Sequence, residues 1–135
     1  MSIHFSRQLF TFLLPQIKES FDFEKCFFCS SGEESVYEYV KELTQTRENM
    51  KVALSASKMN SSSVLAAIDG YIPLIWQLLD SLDRQDPVKV ETPLRFVWKG
   101  SVMRGFPKLD AIASADVVFD LIMSLHAKGV ATANL

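Results

Sequence analysis

Two cysteines three positions apart are the residues of this sequence whose types and spacing most directly suggest chemistry. Cys26 and Cys29 enclose two phenylalanines in a C-x-x-C motif. In thioredoxin-type sites the first thiol lies at a helix N-terminus, where the helix dipole stabilises the attacking thiolate. A zinc site would need two further ligands, and the two histidines, His4 and His126, lie far away in the sequence. No βαβ pattern surrounds the motif, so a buried apolar segment and a small intracellular thiol-redox or metal-binding protein both remain open.

A second group combines basic and aromatic side chains around a predicted hairpin. Its members are Arg95, Phe96, Trp98, Lys99, Arg104 and Lys108. Such a group could contact phosphates or an acidic protein, which makes Trp98, Arg95, Lys99 and Arg104 the candidate partner-binding residues. In the alternative interpretation, strand alternation sends the charges to water and the aromatic rings into the core.

The sequence shows no complete catalytic constellation. No serine or aspartate is spaced around His126 as a triad would require, and the acidic pairs lie at predicted helix ends. We therefore predict no catalytic, cofactor-binding or metal-binding residues and a protein that is not an enzyme.

Length and composition predict one domain over residues 1–135. The chain is 48% hydrophobic and 22% charged, which is typical of a globular protein. A net charge of −2 gives no basic footprint for nucleic acid, and two cysteines favour a reducing compartment. No run of about 18 apolar residues is present, so we predict no transmembrane segment. Residues 1–20 are predicted to be an irregular N-terminal segment.

The elements that must position any site begin with two helices. Ser31 and Glu34 fit a capping box that starts the first helix. Its apolar residues then recur at helical spacing, and Arg47 alone interrupts the stripe. The stripe consists of Val36, Val40, Leu43, Arg47, Met50 and Leu54.

The second helix is predicted to be capped by Asn60 or Ser61 and to be more central, because its apolar face is wider. That face consists of Val64, Leu65, Ile68, Tyr71, Ile72, Ile75, Leu78, Leu79 and Leu82. Pro73 lies inside this helix, close to Gly70, and cannot donate a backbone hydrogen bond. We therefore predict that the helix is kinked there or that it ends and starts again. The short link between the two helices predicts an antiparallel helical hairpin.

A β-hairpin and a final helix follow. Leu94–Trp98 alternates as a strand, Lys99-Gly100 is a turn dipeptide, and Ser101–Phe106 can return as the partner strand before Pro107. A helix is predicted from about Asp110, with a buried face that consists of Ile112, Ala115, Phe119, Ile122 and Leu125. The predicted fold is mainly α with a small antiparallel β-hairpin, in the order helical hairpin, β-hairpin, helix.

This order of elements resembles the BRO domain of Alix-type endosomal sorting proteins. In that family a strand ending in an aromatic-Trp pair precedes a helix similar to Ala115–Ile122. The helix around Ala67–Ile75, which contains Tyr71 and Pro73, is similar to the family's "Y-x-P-x-L" helix. The early helix with Leu43 and Arg47 also fits in place, so the resemblance covers about residues 20–135.

The resemblance implies the N-terminal part of a helical, solenoid-like body with a small sheet near its start. Family members are non-enzymatic docking modules that recruit ESCRT-III subunits through an apolar patch on a later helix. This chain is shorter than a complete BRO domain and contains no counterpart of that helix, so no binding residue is carried over. The implied protein is a cytoplasmic adaptor, associated with endosomes and peripherally with their membranes, whose partners are proteins such as ESCRT components. A generic helical protein-interaction domain without a trafficking role is the alternative, beside the thiol-redox or metal-binding protein.

Overall fold

The protein is described by a computed structural model over residues 14–29, 32–56, 60–84, 86–100 and 111–135, with Phe28 and Cys29 described by their backbone alone. The described helices are α1 (Phe23–Cys26), α2 (Glu34–Ser55), α3 (Ser61–Arg84) and α4 (Val117–Ala133). The described strands are β1 (Gln16–Ile17), β2 (Phe27–Cys29), β3 (Val88–Val90), β4 (Phe96–Lys99) and β5 (Ile112–Ser114). The molecule is therefore mainly helical with small antiparallel sheets, as the sequence predicts.

The predicted stripe of α2 is confirmed. Val40, Leu43, Arg47, Met50 and Leu54 are all buried, and Val36 packs against the core. These positions lie on one face because they recur every three or four residues. The helix starts at Glu34, so the predicted capping box is wrong in its placement: Glu33 is the N-cap residue and makes no side-chain capping bond. Ser31 lies outside the described residues.

The first two long helices pack together as the predicted hairpin. The Tyr39 hydroxyl on α2 donates a hydrogen bond to the Leu74 carbonyl oxygen on α3 over 2.5 Å. Burial raises the pKa of Tyr39 well above its ordinary value. At the start of α3, the Asn60 carboxamide oxygen accepts from the amides of Ser62 and Ser63. The predicted Asn60 cap is therefore confirmed, and it satisfies amides that have no partner within the helix.

Helix α3 runs without interruption through Pro73, so the predicted restart is absent. By length and composition alone, α3 could cross a membrane, which the sequence prediction did not anticipate. Central helices of globular cores pass the same test. In this structure α3 buries one stripe against its neighbours, and that stripe consists of Val64, Ile68, Tyr71, Ile75, Leu78 and Ser81.

Strand β4 is the middle strand of a sheet with the order β1-β4-β5. It pairs antiparallel with both neighbours, with Trp98 opposite Ile17 in β1 and Ile112 in β5. The predicted strand is confirmed. Its residues do not alternate between buried and solvent-exposed positions, because Phe96, Val97 and Trp98 are all buried. The predicted return strand Ser101–Phe106 and Pro107 lie outside the described residues. A second sheet pairs β2 with β3.

The prediction for the last helix is wrong in its start and in its buried face. Ile112 lies in strand β5, and the helix begins at Val117 behind the N-cap Asp116, whose carboxylate accepts from the Val118 amide. The inward residues of α4 are Val117, Asp120, Leu121, Ser124, Ala127 and Ala131. The predicted inward residues lie elsewhere: Ala115, Ile122 and Leu125 are exposed, and Phe119 is half-buried.

Small side chains explain how α4 approaches its neighbour. Ser124, Ala127 and Ala131 are buried, and they allow close packing against α3. Lys128 near the end of α4 pairs with Asp69 near the start of α3, with 2.9 Å between Nζ and Oδ1. The two helices are therefore antiparallel.

Candidate functional site

A buried cluster of charged and polar side chains lies where α2, α3, β4 and α4 meet. We call it the Asp120 cluster, and it consists of Arg47, Tyr71, Trp98 and Asp120. None of the four is more than 1% exposed. Each comes from a different element, so the cluster joins parts of the chain that are distant in sequence.

Asp120 is the common acceptor of the cluster. Arg47 donates from Nη2 to Asp120 Oδ1 over 2.8 Å, and its Nε lies 3.2 Å from each carboxylate oxygen. Trp98 Nε1 donates to Oδ1 over 2.7 Å, and the Tyr71 hydroxyl donates to Oδ2 over 2.5 Å. The carboxylate form can accept from all of these donors, because each of its oxygens has two lone pairs.

The remaining groups around Arg47 are also satisfied. Its Nη1 donates to the Glu19 carbonyl oxygen over 3.1 Å, and its guanidinium lies 5.3 Å from the centre of the Phe96 ring. Within the described ranges, no buried side-chain nitrogen or oxygen lacks a hydrogen-bond partner. A buried ion pair is tolerated when such extra hydrogen bonds replace the water that both groups have lost.

The electrostatics of the cluster favour a charged arginine and a neutral tyrosine. Burial by itself lowers the pKa of Arg47, but the charge and hydrogen bonds of Asp120 outweigh it, so the net shift is upward. Burial, and then the nearby Asp120 charge, raises the pKa of Tyr71 well above its ordinary value. The cluster is thus one ion pair with two neutral donors, and all four of its side chains are at most 1% exposed.

The basic-aromatic group that the sequence singled out is divided by the fold. Trp98 is fully buried and donates to Asp120, so its ring is not at the surface. Arg95 is exposed, and its Nε lies 3.2 Å from Glu19 Oε2. Lys99 is half-buried at the end of β4, and Arg104 lies outside the described residues. Trp98 therefore does not share a surface with Arg95, while a partner-binding role of the basic residues stays a prediction.

The C-x-x-C motif spans a helix end and a strand. Cys26 is the last residue of the one-turn helix α1, is half-buried and carries a free thiol, whereas Cys29 ends β2. Cys26 is thus at the carboxyl end of a helix, unlike the first thiol of a thioredoxin-type site. His126 is exposed on α4. Among the residues described, no group of three His, Cys, Asp or Glu side chains could hold a metal ion.

Asp120 and Tyr71 were not identified from the sequence as members of a site. One signal was present: Arg47 interrupts an apolar stripe, and Asp120 interrupts the most apolar part of α4. Charged residues are almost never buried without a partner. Pairing the two interruptions would have identified the cluster.

Comparisons with protein-family models, with curated proteins and with solved structures find no match to this chain in any of the three.

The buried tyrosines predict a loss of stability at high pH. The raised pKa of Tyr71, caused by burial and by Asp120, means that the unfolded chain releases this proton first. The contribution of the buried tyrosine to the free energy of unfolding is complete below its pKa in the unfolded chain, which is about 10. Above that pH the contribution falls by about 1.4 kcal/mol per pH unit for each such tyrosine. Urea unfolding of wild type and Tyr71→Phe between about pH 8 and pH 11 measures this slope.

Tyr71→Phe should be less stable than wild type at neutral pH, because it loses the hydrogen bond to Asp120. Its free energy of unfolding should decline less steeply with pH above about pH 10. Tyr37→Phe, at an exposed position of α2, is the control and should keep the wild-type slope. Equal slopes for Tyr71→Phe and wild type would contradict the buried, neutral tyrosine.

Proposed function

We propose that this chain is a non-enzymatic docking module of the BRO-domain type, equivalent to the N-terminal part of such a domain, and that it acts in endosomal sorting. The proposal places it in the cytoplasm and at the surface of endosomes, with protein partners that include ESCRT components. The mainly helical body with small antiparallel sheets is compatible with that architecture.

The observation that carries the proposal is the outward side of α4. Val118, Ile122 and Leu125 recur at helical spacing there and are between 43% and 56% exposed. We call these three residues the α4 outer face. The opposite side of α4 is buried against the core, so the helix is apolar around most of its circumference. A helix of that kind is normally covered on both sides.

The Asp120 cluster supports a scaffold rather than a catalyst. Every side-chain nitrogen and oxygen of the cluster has a hydrogen-bond partner within the protein, and Trp98 and Tyr71 donate to different oxygens of the carboxylate. Because Asp120 fixes the rotation of α4, it also fixes which residues form the outer face. In the proposed module, that face packs against the next helical layer of a BRO-type body.

The test compares this chain with a form extended at its C-terminus by the later helices of a BRO domain. Purified ESCRT-III subunits should be retained by the extended form and not by this chain, because the ESCRT-III patch of the family lies on a later helix. The fluorescent probe anilinonaphthalene sulfonate should bind the α4 outer face here and bind less to the extended form.

Two surface variants make the test specific. Ile122→Ser/Leu125→Ser should abolish most probe binding by this chain, whereas Tyr37→Ser/Val52→Ser removes comparably exposed apolar side chains from α2 and should not. An extended form that neither covers the outer face nor retains ESCRT-III subunits would refute the proposed function.

A further inference from the structure

An open groove lies beside the carboxyl-terminal half of α3, and its described lining contains none of the three residues of the α4 outer face. Its volume is about 870 Å³, and its walls include residues of α3, the segment before β4 and the turn into α4. Trp76 is the most exposed large apolar side chain of its described lining, at 60%. Leu79 and Leu94 are partly buried in the same lining and provide an apolar floor.

The charged residues that line this groove, among those the structure describes, are all acidic. They are Asp80, Asp83 and Asp116, and no described lysine or arginine lines it. Asp80 is paired with Arg84 one turn further along α3, whereas Asp83 has no ion pair among the described residues. Asp116 caps α4, so its side chain is held at the groove by the Val118 amide. The groove therefore combines an exposed aromatic ring, an apolar floor and an acidic edge.

We propose that this groove binds a basic, apolar-anchored segment of a protein partner. An apolar anchor would fit against Leu79 and Leu94, while lysine or arginine side chains would reach Asp83 and Asp116. The Trp76 ring can also accept a cation over its face. Carboxylates at the edge of a groove select a cationic segment and reject an acidic one.

The inference does not depend on a role in endosomal sorting, because it uses different residues from the α4 outer face. If the extended form failed to retain ESCRT-III subunits, the groove proposal would be unaffected. If the groove bound no basic peptide, the endosomal sorting proposal would be unaffected.

The test uses a fluorescein-labelled peptide in which leucines at helical spacing form one side and lysines fill the other positions. A matched peptide carries glutamate in place of every lysine. Fluorescence anisotropy should show binding of the lysine peptide, weaker at high salt, and no binding of the glutamate peptide. Unlabelled lysine peptide should also protect exposed Trp76 from acrylamide quenching, while Trp98, which is fully buried, serves as an internal reference.

Two protein variants locate the binding. Asp83→Lys should lower the affinity for the lysine peptide by about tenfold or more, because a carboxylate that attracts the peptide's lysines is replaced by an ammonium that repels them. Glu38→Lys makes the same change in net charge at an exposed position of α2 outside the groove and should leave the affinity unchanged. Trp76→Ser should also weaken binding by about tenfold or more, as expected for a central aromatic contact.

If Asp83→Lys and Glu38→Lys lowered the affinity for the lysine peptide equally, the proposal would be overturned. The peptide would then be attracted by the net charge of the whole chain rather than by the groove. Binding of both peptides would overturn it as well. Concentration-dependent dimers in sedimentation that Trp76→Ser abolishes would identify a second copy as the occupant, and this too would overturn it.

Discussion

Replacing Asp120 by asparagine is expected to destabilise the fold by about 3–5 kcal/mol, because it leaves the Arg47 charge buried without its counter-ion. The carboxamide keeps the size of the side chain but presents an NH₂ group to a site where every neighbour is a donor. Domains of this size have total stabilities of about 5–15 kcal/mol, so the loss is a large fraction of the whole.

Thermal and urea unfolding of Asp120→Asn measure this effect. A fall in the melting temperature on the order of 10–20 °C is expected from the size of the domain. Asp69→Asn is the matched control, because Asp69 also pairs with a cation, Lys128, but at a half-exposed position. Exposed ion pairs contribute little to stability, so this control should remain close to wild type. An Asp120→Asn protein as stable as Asp69→Asn would contradict a buried ion pair.

The second large effect concerns the two neighbouring positions Leu121 and Ile122 on α4. Leu121→Ala is expected to cost about 2–5 kcal/mol, since its side chain is 5% exposed and packs in the core. Ile122→Ala should change the stability by no more than about 0.5 kcal/mol, because Ile122 is 56% exposed. The comparison tests the face of α4 directly, since the sequence alone predicts Ile122 to be the buried one.

Urea unfolding of both variants gives the two free energies under one set of conditions. Alanine is a good helix former, so neither substitution weakens α4 through backbone propensity. If Ile122→Ala proved the more destabilising of the two, α4 would be rotated relative to this structure, and the α4 outer face would not exist.

The helical hairpin could be predicted from the sequence because α2 and α3 carry apolar stripes with the period of a helix. In α2 the residues outside the stripe are mostly polar, so only one side of the helix can face the core, and the structure confirms that side. The Asn60 cap follows from local chemistry, because its side chain bonds amides two and three residues ahead. These features depend on residues close together in sequence.

The face of α4 could not be predicted in the same way. The helix is apolar on several sides, so periodicity alone does not decide which residues turn inward. The decision comes from Asp120, which lies 73 positions from Arg47 in the chain and must meet it in the core. Ile122 and Leu125 are exposed because the rotation that buries Asp120 turns them outward.

The sheets were predicted only in part, for a related reason. Strand β4 has the composition of a strand, but its partners β1 and β5 have two and three residues. Such short strands carry too little pattern to be distinguished from loop or helix. The sequence therefore predicts a helical Ile112, whereas in the structure Ile112 pairs across the sheet with Trp98.

A double-mutant cycle between Arg47→Met and Asp120→Asn tests most directly whether a buried ion pair holds α4 in its position. Each single variant leaves one buried group without its partner, whereas the double variant leaves neither charge in the core. The structure predicts that the double variant is more stable than Asp120→Asn alone, with a coupling free energy of at least about 2 kcal/mol. Additive losses, with a coupling energy near zero, would show that Arg47 and Asp120 do not pair and that α4 is held by something else.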